Sequence, residues 1–370
     1  MNSRTPYIHR LESFELESGE VLKDVRQAYY LDGELNAERD NLVIVFHALT
    51  GSADAVGDWW KDVLGPGRAV DTDQYAILCI NFVGSCYGST GPCDPGRDPF
   101  PALTTRDLAR LNHAVVESLG VNRVRLATGG SLGGMVALEW MATFPGLTDR
   151  AVVFAAPAEH TAAAIGWNHI QRTAIAQATE GGLEIARMVA MMTYRTAGEF
   201  DVRFGRTRSS QRFINRDGSG NGAREENSGR TVESPDSGSP SGNGDDRSAT
   251  SDPYAIESYL SRHGQKLRER FDTRSYLTLL DVLDSHDVGR GRDGIQAALA
   301  GAGSRIVGVG IPGDLLYREE DVLRWVSASG ASYRQIHSIR GHDAFLLEPD
   351  QVGPILTEAL KAAGEYGTTR

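Results

Sequence analysis

The sequence predicts an α/β protein whose core is a doubly wound, mostly parallel β-sheet. Short apolar runs rich in β-branched residues recur along the chain, and each is bounded by Gly, Asp or Pro, as is typical of buried parallel strands. Helical patterns lie between the runs, and strands that alternate with helices at this spacing form doubly wound sheets. The runs are 41–48, 75–83, 124–130, 150–158, 304–311 and 332–339.

Two of the helical segments are well defined by their patterns. In 104–121, leucine and valine recur at helical spacing, and Thr105 and Gly120 have the residue types of helix caps. The segment 132–145 is apolar on nearly every side, as expected of a central helix packed on a sheet, and Pro145 ends it.

The middle of the chain has a different character. The region 159–295 shows helical patterns but no clear strand, so we expect a helical lid inserted into a core formed by 1–158 and 296–370. Between 215 and 253, apart from proline, the only apolar side chains are two alanines and one valine. Burial of so little apolar surface cannot offset the entropic cost of ordering the chain. We therefore expect a disordered, low-complexity insertion at about 207–253.

The composition excludes several functional classes. With 38 basic and 49 acidic residues the net charge is −11, and no stretch concentrates positive charge, so a nucleic-acid partner is not expected. No run approaches the ~20 apolar residues of a membrane span, and the N-terminus lacks the apolar core of a signal peptide. Three cysteines, an odd number, argue against a disulfide scaffold. We therefore expect a soluble cytoplasmic protein with no membrane partner.

The sharpest functional motif is the G-x-S-x-G pattern at 129–133, in which Ser131 follows a predicted strand and opens a predicted helix. A strained turn of this kind exposes the serine hydroxyl, and the glycines let neighbouring chain segments approach closely. Free N–H groups at the helix start stabilise negative charge that develops beside the hydroxyl. An ordinary Gly-rich turn is the alternative. In this strand–turn–helix context the motif predicts an α/β-hydrolase fold with Ser131 as the nucleophile.

A catalytic serine needs a base and an acid that orients the base, in the chain order Ser, Asp or Glu, His on this fold. His342 and Asp314 each follow one of the last two predicted strands, at the carboxyl ends where ligands bind in open parallel sheets. An oxyanion hole needs a second donor from a loop after an earlier strand. We expect the backbone N–H groups of Leu49 and Leu132 to form it.

Several longer blocks resemble the homoserine O-acetyltransferase family over nearly all of the chain except the low-complexity insertion. The blocks include INFVGSCYGSTGP, GGSLGGMVALEW, RFGR and GHDAF, which are far more specific than the G-x-S-x-G motif. The resemblance implies an α/β-hydrolase core, a helical lid that forms a homodimer, and a triad of Ser131, Asp314 and His342. It also implies that Arg206 binds the carboxylate of the substrate amino acid and that Asp343 binds its ammonium group.

The activity implied by the resemblance is ping-pong transfer of an acetyl group from acetyl-CoA to L-homoserine in methionine biosynthesis. Neither a permanently bound cofactor nor a metal is implied. Succinyl-CoA as the donor and L-serine as the acceptor stay open, because relatives with this scaffold differ in both. A carboxylesterase and a non-catalytic binding protein are the remaining alternatives.

Overall fold

Eight strands form one sheet in the computed structural model, which describes residues 4–209 and 252–366. The strands are β1 (Tyr7–Glu15), β2 (Val21–Asp32), β3 (Leu42–Phe46), β4 (Ala76–Ile80), β5 (Val124–Gly130), β6 (Thr148–Phe154), β7 (Ile306–Gly310) and β8 (Ser332–Gln335). Their order is β1-β2-β4-β3-β5-β6-β7-β8, and β3 to β8 run parallel. The predicted fold class, a mostly parallel doubly wound sheet, is therefore confirmed.

Each of the six predicted apolar runs contains or overlaps one parallel strand, and β3 and β4 are buried at every position. The sequence patterns did not predict the antiparallel hairpin of β1 and β2, which adds to the β4 edge of the sheet. Strand β1 is largely exposed, so it lacks the continuous apolar run that marks a strand covered on both faces.

Helices cover the sheet and form most of the described chain between β6 and β7. In chain order they are α1 (Thr105–Ser118), α2 (Leu132–Thr143), α3 (Ala162–Gln177), α4 (Gly182–Tyr194), α5 (Ala197–Arg203), α6 (Ala255–Arg270), α7 (Thr273–Asp284), α8 (Ile295–Leu299), α9 (Glu319–Ser329), α10 (Ala344–Leu347) and α11 (Pro349–Tyr366). Thr104, rather than the predicted Thr105, caps α1 through a reciprocal pair of hydrogen bonds with Asp107. Within the described ranges, no helix is both long and apolar enough to cross a bilayer.

The two ends of the predicted insertion lie side by side. Ser209 N donates to Pro253 O at 2.9 Å, Ala255 N donates to Thr207 O at 2.8 Å, and Arg208 forms a β-bridge with Tyr254. The ends 207–209 and 252–253 are therefore paired rather than disordered. The rest of the predicted insertion, 210–251, lies outside the described residues.

A partly buried ion-pair network joins the N-terminal region to the helices that cover the sheet. Glu139 of α2, which is fully buried, pairs with Arg106 at 3.3 Å and with Arg292 at 2.7 Å. Glu17 pairs with Arg106 at 2.7 Å and with Arg290 at 2.8 Å. Because an unpaired buried carboxylate is costly, these arginines are needed where they lie.

Candidate active site

Ser131 occupies the sharp turn between β5 and α2. Its backbone has φ 57° and ψ −126°, a conformation that non-glycine residues rarely adopt. A Cβ at Gly133 would collide with the carbonyl oxygen of Phe46, and one at Gly130 would collide with the ring of Phe345. The motif glycine Gly133 is therefore required by the close approach of β3, and Gly130, at a variable position of the motif, by the close approach of Phe345.

His342 and Asp314 form a buried pair. His342 Nδ1 lies 2.7 Å from Asp314 Oδ2, and Asp314 Oδ1 accepts the N–H groups of Leu316 at 2.8 Å and Tyr317 at 3.0 Å. Burial disfavours charge on the imidazole, but the charge and hydrogen bond of Asp314, with the charge of Asp343, outweigh it and raise the pKa of His342. The carboxylate thus orients the ring and stabilises its protonated form.

The loop that carries His342 lies against the turn that carries Ser131. The Phe345 ring, in contact range of Gly130, lies 5.7 Å from the His342 ring between centroids. His342 Nε2 is buried and has no hydrogen-bond partner in the described part of the chain, so it is not hydrogen-bonded to Ser131 Oγ. Such hydrogen bonds are often long before substrate binds. The predicted Ser131, Asp314 and His342 all follow parallel strands at the same edge of the sheet.

The segments that carry the predicted oxyanion donors are in contact at this edge. Leu132 is the first residue of α2, so its N–H has no acceptor within the helix. The approach of Gly133 to the backbone of Phe46 and His47 brings the loop that contains Leu49 to the start of α2. For the residues described, no hydrogen bond uses the Leu49 N–H. Both amides are therefore available to a ligand oxygen.

The two residues assigned to amino-acid binding have different partners among the described residues. Asp343 Oδ2 accepts a hydrogen bond from Nε of Arg195 at 2.9 Å, and Arg195 also reaches Glu199 at 2.8 Å. Arg206 is exposed and donates to the Tyr254 hydroxyl at 3.0 Å. Its role as the carboxylate ligand stays a prediction. Sequence reasoning missed Arg195, because no local pattern relates it to a residue 148 positions away.

Other residues near His342 were also missed. The Tyr194 ring lies 5.6 Å from the His342 ring, and the Arg187 guanidinium lies 5.3 Å from the centre of the Tyr194 ring. Arg187 also lines a cavity of about 640 Å³ that extends along Thr50 and Arg270. The apolar pattern of 182–194 predicted a helix but gave no reason to select its arginine.

A sharp serine turn after β5, together with an Asp–His pair after β7 and β8, is the arrangement found in α/β-hydrolase-fold proteins. The family model for the alpha/beta hydrolase fold matches residues 41–331 of this chain. The chain is 38% identical to a homoserine O-acetyltransferase from Thermus thermophilus, over 94% of this chain and 89% of the relative. The chain belongs to the homoserine O-acetyltransferase family.

Solved structures agree with this assignment. The crystal structure of homoserine O-acetyltransferase from Staphylococcus aureus matches with a TM-score of 0.73 and 30% identity, over 96% of this chain and 95% of that one. Esterase E22 matches with a TM-score of 0.77 at 17% identity, over 96% and 99% of the two chains. At that identity the esterase shows a shared fold and no more.

Proposed function

We propose that this protein transfers the acetyl group of acetyl-CoA to the side-chain hydroxyl of L-homoserine, in methionine biosynthesis, through an acetyl ester on Ser131. The observation that carries this proposal is the buried Asp314–His342 pair beside the serine turn, in a chain of this family. The proposed core is 1–158 with 296–370, and the proposed lid is 159–295.

In the first step, His342 Nε2 accepts the proton of the Ser131 hydroxyl while the serine oxygen attacks the thioester carbonyl. The N–H groups of Leu49 and Leu132 stabilise the negative charge on the carbonyl oxygen. The carbon–sulfur bond then breaks, and the coenzyme A thiolate takes the proton from His342. The acetyl group is left on Ser131.

In the second step, His342 accepts the proton of the homoserine hydroxyl, whose oxygen attacks the acetyl ester. The ester bond to Ser131 breaks, and the serine oxygen recovers the proton from His342. A transferase must favour this alcohol over water, so the acceptor has to be held in a fixed pose under the lid. Asp343, next to His342, is proposed to bind the ammonium group of the acceptor.

The proposed substrates can be tested in one assay. The protein is mixed with acetyl-CoA or succinyl-CoA and with L-homoserine, L-serine or no acceptor, and thiol release is followed. Sustained release only with acetyl-CoA and homoserine is the expected result. Sustained release without an acceptor, beyond one thiol per active site, would indicate a hydrolase, and no release with any pair would contradict the proposal. A preference for succinyl-CoA or serine would reassign the substrates on the same mechanism.

Two arginines are candidates for the carboxylate of the amino acid. A planar guanidinium binds a carboxylate through two parallel hydrogen bonds. Arg206 is assigned by the family resemblance, but it is exposed and contacts Tyr254. Arg187 is the second candidate, because its guanidinium lies over the ring of Tyr194, and that ring lies near the ring of His342.

We expect Arg187→Ala to raise the KM for homoserine about 10- to 100-fold, the range for a lost hydrogen bond to a charged group, and Arg206→Ala to raise it less. The exposed guanidinium of Arg206 is better screened by water. Steady-state kinetics with saturating acetyl-CoA measure both values. A larger increase in KM for Arg206→Ala would show that Arg206 binds the carboxylate. No increase in KM for either variant would show that neither arginine binds it.

We also infer a cytoplasmic homodimer formed through the lid. The large apolar side chains of α3 and α4 that are exposed are Ile165, Trp167, Ile170, Ile185 and Met192. Clusters of exposed apolar residues mark protein interfaces. The three cysteines are free, as is usual in a reducing compartment.

In solution, light scattering is expected to give twice the mass of the chain. Ile170→Glu places a charge on the proposed interface and is expected to yield a monomer. Leu323→Glu, on the exposed side of α9, is the matched control and is expected to stay dimeric. A wild-type monomer, or an Ile170→Glu dimer, would contradict the proposed interface.

A further inference from the structure

The segment that joins α4 to α5 lies directly on the loop that carries His342. The hydroxyl of Thr196 donates to the carbonyl oxygen of Ile339. A Cβ at Gly341 would lie 3.2 Å from the carbonyl oxygen of Tyr194 and from the methyl group of Thr196. This lid segment is therefore in van der Waals contact with the chain immediately before His342.

Arg195, in the middle of that segment, connects the lid to Asp343. Only 9% of Arg195 is exposed. Its Nε donates to Asp343 Oδ2 at 2.9 Å, and its Nη1 donates to Glu199 Oε1 at 2.8 Å. A guanidinium held by two carboxylates at different donor atoms has a fixed orientation, because its donors form a rigid fork.

The hydrogen bond from Arg195 uses only one of the two oxygens of Asp343. Within the described ranges, no hydrogen bond uses Asp343 Oδ1. A carboxylate can accept at both oxygens, so one is held by the protein and the other is free for a ligand. Asp343 follows His342 directly, so a cation bound there lies beside the catalytic base.

We propose that Arg195 is a positioning residue for the acceptor: it holds Asp343 through Oδ2, so that Oδ1 binds the ammonium group of the amino acid. The inference rests on the proposed function. It implies that Arg195 acts in the second step, when the acceptor binds, and that it is not needed for the transfer of the acetyl group to Ser131.

Arg195→Gln is expected to raise the KM for homoserine about 10- to 100-fold, with a smaller change in kcat. Formation of the acetyl-enzyme from acetyl-CoA, measured as a burst of thiol without acceptor, should be preserved. Arg195→Lys keeps the charge and is expected to recover part of the loss. Arg203→Gln is the matched control, since that arginine lies 3.9 Å from Glu199 but has no bond to Asp343 among the described contacts.

Two further measurements separate positioning from general support of the fold. In 4-hydroxybutanoate, which is homoserine without its amino group, there is no ammonium to bind, so Arg195→Gln should not raise the KM for this acceptor. The double variant Arg195→Gln/Asp343→Asn should be no worse than Asp343→Asn, because one residue acts through the other. Equal losses with both acceptors, or additive losses in the double variant, would overturn the inference. A wild-type protein without a burst would instead refute the proposed function.

Discussion

Ser131→Ala is expected to lower acetyl transfer to homoserine about a millionfold, as for the loss of a catalytic serine in other triad enzymes. The serine oxygen is the atom that receives the acetyl group, so nothing replaces it. Mass spectrometry after mixing with acetyl-CoA should detect one added acetyl group on the wild-type protein and none on the variant. Peptide mapping should place the group on Ser131.

Alanine has the same Cβ as serine, so the backbone strain at φ 57° should change little and the variant is expected to fold. An unchanged thermal unfolding curve would check this. Ser327→Ala, at an exposed position of α9, is the matched control and should be acetylated normally. Acetylation of the Ser131→Ala protein at wild-type rate would refute the acyl-enzyme mechanism.

Asp314→Asn is expected to reduce kcat about ten-thousandfold, since an amide at this place favours the wrong tautomer of the histidine. Asp314 accepts two backbone N–H groups and contacts His342 Nδ1, and asparagine of the same shape can preserve only part of this pattern. Steady-state kinetics measure the loss. Glu320→Gln, an exposed carboxylate on the next helix, is the control and should keep full activity.

The same substitution should change the pH dependence. His342 must be neutral to accept a proton, so kcat/KM rises with pH through the pKa of His342. Burial lowers this pKa, while the charges of Asp314 and Asp343 and the hydrogen bond of Asp314 raise it above the ordinary value of 6.5. The rings of Tyr194, Tyr317 and Phe345, which surround His342, are uncharged near neutral pH. In Asp314→Asn the burial remains and one charge is lost, so the acid limb should move to lower pH. An acid limb that does not move would show that it reports the pKa of a group other than His342.

Local sequence patterns predicted much of the site. The turn at Ser131 was recognised because its glycines, the strand before it and the apolar helix after it are adjacent in the chain. Asp314 and His342 were selected because each follows a predicted strand, and parallel strands bring their carboxyl ends to one edge. The β1–β2 hairpin was missed because its exposed first strand carries no continuous apolar run.

What the sequence alone determined is the succession of the parallel strands and the helices along the chain and the three residues that follow strand ends, since each depends on neighbours a few positions away. Only the tertiary structure decided which charges meet. It paired Asp343 with Arg195, and it placed Arg187 beside Tyr194, whose ring lies near that of His342. These contacts arise where α4 and the segment after it lie against the loop that follows β8, and the spacing of residues along the chain does not show which distant segments come into contact.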